Sequence, residues 1–142
     1  MGEAVPARCG LPVSVLAAAV LAAENVPFVL VGSAALWLRG EHVTVGDADV
    51  VIEPGEASLR RAHEALAQLA IRPRTVPTVH RLRDLSVATV VTSYGRVDCL
   101  LERGRLDWDR LRRGAGYVAV TDVKVLVASA DDAWALRRRF RK

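Results

Sequence analysis

The sequence predicts one continuous α/β unit over residues 1–142, and three observations carry that reading. Short Val- and Leu-rich runs, the length of buried strands, alternate with stretches whose apolar residues recur at helical spacing. Gly, Pro and Asn stand at the joints between them. No Ser/Gly-rich linker, low-complexity stretch or internal repeat interrupts the chain. A domain of this length buries roughly 68 to 70% of its unfolded surface, so its core needs no disulfide or structural metal.

Each element has its own signal. Residues 12–24 form the first helix, with Val13, Leu16, Val20 and Leu21 on one face, and Asn25-Val26-Pro27 stops it. Residues 28–31 (FVLV) are a buried strand broken by Gly32-Ser33. Residues 33–38 are a short helix that starts on Ser33 and ends at Gly40, which can take the left-handed conformation. Residues 47–52 (DADVVI) make the second strand, closed by Pro54-Gly55. Leu59, Ala62, Leu66 and Leu69 then mark an amphipathic helix of about four turns. Residues 85–92 and 96–101 are strands joined by Ser93-Tyr94-Gly95, a hairpin signal with Gly in the turn. A short helix over 106–112, strands over 117–120 and 123–127, and a last helix from Ser129 complete the chain. Ser129 and Asp132 fit the serine-x-x-acid cap.

Composition narrows the function classes. With 3 Trp, 2 Tyr and 2 Phe, the chain lacks the aromatic platforms that bind single-stranded nucleic acid. Eighteen of the 20 basic residues are arginine, and residues 103–142 carry a net charge of +6 against −2 for residues 1–102. A basic end suits a polyanionic partner, and it equally suits a solvated helix face. Cys9 and Cys99 match no metal-ligand spacing, which agrees with a reduced, cytoplasmic protein. Residues 11–23 superficially resemble a secretory signal, but Glu3 offsets Arg8 and the run is too short to span a bilayer, so no membrane role is expected.

The chemistry lies in the acids. Asp47 and Asp49 alternate at the mouth of a strand, so period-two geometry puts both on one face with Cα atoms about 6.6 to 7 Å apart. That spacing suits two divalent ions roughly 3.5 to 4 Å apart. Like charges at the end of an apolar strand repel, and a cation compensates them. Taken alone, the pair reads rather as a solvated strand-entry turn, because Gly-Asp and Asp-Ala-Asp are common loop text. Asp98 shifts the balance, since it interrupts a strand pattern that disfavours aspartate. If its strand neighbours the Asp47 strand, three carboxylates form a hard-oxygen site for Mg²⁺ and substrate phosphates. An edge-strand aspartate facing water, or paired with Arg96 or Arg81, is the competing account. Val31-Gly32-Ser33-Ala34 adds a glycine turn into a helix start, whose free N–H groups and serine hydroxyl suit a phosphate.

The order VGSAALWLRG, GDADVVIEP, YGRVDCLL and VLVASADDAWALRR resembles the nucleotidyltransferase superfamily with the DNA polymerase β-like fold. The resemblance is to small bacterial members related to abortive-infection toxins and minimal-nucleotidyltransferase antitoxins. It implies a mixed β-sheet flanked by helices (α+β) and transfer of a nucleoside monophosphate from a nucleoside triphosphate to a hydroxyl. Asp47, Asp49 and Asp98 would hold the metal, two Mg²⁺ ions or Mn²⁺, with Asp98 helping to activate the attacking hydroxyl. Gly32 and Ser33 would hold the β- and γ-phosphates, with Arg137 as a further nucleotide contact; apart from the resemblance, Arg81 and Arg83 stand just ahead of the third strand, within reach of a triphosphate, although surface arginines are commoner. Two departures stand out: Thr44 lies three residues before Asp47 where relatives often have threonine two before, and Arg137 replaces a lysine common in the last helix. The acceptor would be a protein, a tRNA or a small molecule such as an antibiotic. The alternative is a catalytically weak or inactive antitoxin-like module that covers a protein partner, and a homo-oligomer is compatible with either. Trp37, Trp108, Trp134 and the three histidines read as packing or surface residues.

Overall fold

The computed structural model describes residues 3–4, 10–101 and 107–140, the side chains of 3–4 and 138–140 aside. Its elements run β1 (Glu3–Ala4), α1 (Val13–Ala23), β2 (Phe28–Val31), α2 (Gly32–Leu38), β3 (Ala48–Ile52) and α3 (Glu56–Leu69). A 3₁₀ turn (Pro73–Thr75) and the one-turn α4 (Val79–Leu82) follow. The chain then forms β4 (Val87–Thr92), β5 (Gly95–Leu100), α5 (Trp108–Gly114), β6 (Gly116–Val120), β7 (Val123–Val127) and α6 (Ala130–Phe140). One mixed sheet has the order β1-β6-β7-β2-β3-β5-β4.

β2 lies centrally, antiparallel to β3 and parallel to β7. All four of its residues are buried, which requires cover on both sheet faces. The helices supply it as two groups, α1 with α3 and α2 with α6. β3 runs parallel to β5, and the β4–β5 and β6–β7 pairs are antiparallel hairpins. In the first hairpin the loop shortens to Ser93-Tyr94, because Gly95, at φ +86°, already pairs with Thr92. The Thr92 hydroxyl closes the turn by accepting from the Tyr94 N–H at 3.0 Å and donating to the Gly95 carbonyl at 2.8 Å.

Two expectations need correction, and one helix was not foreseen. The buried side of α1 runs through Ser14, Val15, Ala17, Ala18, Ala19 and Leu21, whereas Val13 is exposed and Leu16 and Val20 are half-buried. Leu21 is buried as expected, and Val15 with three alanines takes the place of Val13, Leu16 and Val20 on the inner face. α5 starts later than expected, at Trp108, because the Asp107 carboxylate caps it by accepting from the Arg110 N–H at 3.0 Å; residue 106 lies outside the described residues. The short α4, capped by Thr78, has no counterpart in the sequence reading.

The C-terminus of α2 shows how a local signal sets a long-range contact. Gly40, at φ +85°, donates to the Trp37 carbonyl at 3.0 Å, and Glu41 donates to the Leu36 carbonyl at 2.9 Å. This is the double bond of a Schellman cap, with glycine at the left-handed position. Just before it, the Arg39 guanidinium donates through Nη2 to the Val127 carbonyl at 2.8 Å and through Nε to the Ala128 carbonyl at 3.0 Å. Arg39 therefore ties α2 to the joint between β7 and α6. At the start of α6, the Ser129 hydroxyl accepts from the Asp132 N–H at 3.1 Å, as the capping pattern predicts. Among the described residues no helix is long and apolar enough to cross a membrane.

Replacing Arg39 by Met keeps the aliphatic stem and strands two carbonyls. We expect a loss of about 2 to 4 kcal/mol in urea unfolding. A loss below about 0.5 kcal/mol would show that the joint holds without this clamp.

Candidate active site

Two strand pairings assemble the site. β3 matches Val31 with Asp49 on one side and Asp49 with Asp98 on the other. The turn after β2, the start of β3 and the middle of β5 therefore meet at one end of the sheet. Asp47 sits just before β3, two residues from Asp49, as the alternation requires. Gly32, Ser33, Asp47, Asp49, Asp98 and Arg137 all line one cavity of about 560 Å³. Thr44, Gly46, Val87, Leu100 and Leu136 supply more of its wall.

Gly32 has two reasons to be glycine. Its φ is +70°, and a methyl group there would collide with the Asp49 carboxylate. The Ser33 hydroxyl accepts the Gly46 N–H at 2.9 Å, which tethers the loop before β3 and leaves the hydroxyl proton free to donate.

Electrostatically the site is crowded. Burial, the charge and hydrogen bond of Asp98, and the charge of Asp47 push the Asp49 carboxyl up to about 7, while Arg137 opposes the rise. Arg96 spans the other two acids, at 3.5 Å from Asp47 and 3.9 Å from Asp98. It is more than half exposed, so these pairs are loose. The Thr89 hydroxyl, opposite Asp98 on β4, donates to Asp98 Oδ1 at 2.6 Å. Cys99, between strand partners, is buried and its thiol is pushed up to about 12, first by burial and then by Asp98, so it is no nucleophile at neutral pH.

Arg137 reaches the cavity from α6. Its guanidinium lies 5.6 Å from the centroid of the Trp134 ring, and its Nη1 is buried without a hydrogen-bond partner. Arg81 does not join this group. It is exposed on α4, whose Leu82 lines a separate cleft with Ile52 and Leu101, beyond the opposite end of β3. The nucleotide contact expected of Arg81 is therefore not assembled: the one-turn α4 packs on α3 and takes Arg81 away from the acids.

In type the donors suit a hard divalent cation, being carboxylate oxygens; the rise at Asp49 comes first from burial and then from its acidic neighbours. Among the described residues, however, no three His, Cys, Asp or Glu side chains are drawn together closely enough to hold a metal ion. Thr89 and Trp134 escaped the sequence reading as site residues. Only the β4–β5 register points to Thr89, and no local pattern points to Trp134.

No family model matches the sequence, and no curated protein matches it. Among solved structures, the crystal structure of a "putative nucleotidyltransferase" from Thermotoga maritima resembles the chain with a TM-score of 0.61. The match covers 84% of this chain and 79% of that one at 17% identity. The chain thus has the nucleotidyltransferase fold, a mixed sheet flanked by helices, as expected.

Two variants probe the crowding. Because its pKa is raised in the folded state, Asp49 costs stability as pH rises from 3.8, where the unfolded chain ionises, to about 7, where the folded one does. Asp49→Asn removes that cost, so without divalent metal it should unfold at higher urea than the parent at pH 8, with the gap closing toward pH 4. A variant less stable than the parent at pH 8 would contradict the crowding. Gly32→Ala should lose about 2 kcal/mol or more in the same measurement, from its left-handed φ and the collision with Asp49; a neutral change would show that the turn can relax.

Proposed function

We propose that the protein transfers a nucleoside monophosphate from a nucleoside triphosphate to the hydroxyl of an acceptor. One observation carries this reading: Asp49 and Asp98 lie in register on adjacent parallel strands and face the same cavity as the Gly32-Ser33 turn. The nucleotidyltransferase fold supports it.

The residues divide the work by chemistry. The triphosphate lies along the Gly32-Ser33 turn, where the free Ser33 hydroxyl proton meets a phosphate oxygen. Arg137, which lines the cavity, offers its guanidinium to the same anion in a charge-assisted bond. Asp98, held by Thr89, takes the proton of the attacking hydroxyl while the new oxygen–phosphorus bond forms at the α-phosphorus. The bond to pyrophosphate breaks, and pyrophosphate leaves. Asp47, Asp49 and Asp98 would hold Mg²⁺ or Mn²⁺, which supplies charge neutralisation for phosphoryl transfer.

The test uses triphosphates labelled at the α-phosphate, Mg²⁺ or Mn²⁺, and separate panels of protein, tRNA and small-molecule acceptors. We expect metal-dependent labelling of one acceptor class that falls about 100-fold or more in Asp49→Asn and in Asp98→Asn. Equal labelling by an Asp47→Asn/Asp49→Asn double variant would overturn the reading. Co-purification of a protein partner unaffected by those changes, with no labelling, would favour a binding module of antitoxin type instead.

A further inference from the structure

α2 contributes to the cavity at its start and grips α6 at its end. Its last turn closes on the Gly40 cap, which places the Glu41 backbone under the Leu36 carbonyl and turns the half-buried Glu41 toward α6. There the Glu41 carboxylate accepts the Trp134 indole N–H at 2.9 Å, across 93 positions of sequence. Three residues further along the same helix, one turn away, Arg137 lines the cavity and lies over the Trp134 ring, with its Nη1 buried and unpartnered. An arginine side chain has many rotamers, and holding one of them costs entropy unless a surface pre-sets it. The Trp134 ring is that surface, and the ring is fixed in turn by Glu41.

The geometry points to Glu41 and Trp134 as positioning residues: a carboxylate–indole–guanidinium relay that holds Arg137 ready for the anionic end of a polyphosphate. This rests on the reading that a nucleoside triphosphate occupies the cavity. The relay links the cap of one helix to the phosphate contact of another, so Gly40 acts on the site without touching it. Arg39, gripping the β7–α6 joint, fixes the base of α6 from which the relay projects.

Two measurements on the full chain test it. In the first, NMR follows the Arg137 Nε–H resonance, which the Trp134 ring current displaces, in protein without ligand. It should be displaced in the parent chain and in Glu41→Gln, whose amide oxygen still accepts the indole N–H, and should return toward an ordinary arginine position in Glu41→Ala. An undisplaced parent resonance, or one indifferent to Glu41→Ala, overturns the relay whatever the binding data show. In the second, calorimetry measures inorganic tripolyphosphate. Arg137→Gln should weaken binding about tenfold or more, and Glu41→Ala about three- to fivefold. Trp134→Phe, which keeps a ring and loses the N–H, should match Glu41→Ala, and the Glu41→Ala/Trp134→Phe pair should be no worse than either single change. Glu41→Gln should recover most of the loss. Additive losses, or a Glu41→Ala chain that binds like the parent while its Arg137 resonance moves, overturn the positioning role alone. A parent chain that does not bind tripolyphosphate overturns the triphosphate reading together with that role.

Discussion

β3 pairs with β2 on one side and β5 on the other, and this double register sets Val31, Asp49 and Asp98 side by side. The register is held by burial, because Ala48, Val50, Val51 and Ile52 are all buried around Asp49. A slip of one residue would turn β3 over and exchange an aspartate for apolar neighbours, which a strand covered on both faces does not tolerate. The apolar residues therefore fix the position of the charged ones. Gly32 follows from the same register, since Asp49 takes the space a side chain would fill.

This arrangement stores unfavourable electrostatics where chemistry needs them. Three carboxylates share one end of a sheet, and the one nearest the core resists ionisation. The fold meets the cost around the site with the Arg39 clamp, the Gly40 cap and the continuous apolar core from β2 to β5. Rigid support beneath a strained, charged site is the usual relation between stability and function in enzymes.

Much of this was legible in the sequence. The strands around β2, β3 and the β4–β5 hairpin carry compact apolar runs, and the two-residue period announced Asp47 and Asp49 on one face. Asp98 stood out because aspartate is a poor strand residue. The misses have physical causes. α1 is apolar nearly all round, so its periodicity gave no true direction, and three alanines share its buried side with Val15 and Leu21 while Val13 is exposed. Arg81 was assigned because it stands just ahead of the third strand, but it lies on the one-turn α4, which packs on α3 away from the acids. Thr89 and Asp98 meet by cross-strand register, and Glu41 and Trp134 across two packed helices. Neither contact leaves a trace in local composition.

The connection from α2 to β3 is pinned at both ends, at Glu41 by the helix cap and at Gly46 by the Ser33 hydroxyl. Between them His42 is exposed, so its side chain is free to change with little energetic consequence, whereas Thr44 lines the cavity and Val43 and Val45 pack against the core. The number of residues is not free either. An added or deleted residue there must either release Ser33 from Gly46 or shift Asp47 relative to the turn. In a family of such proteins this segment would keep its length, the reverse of what an ordinary surface loop does.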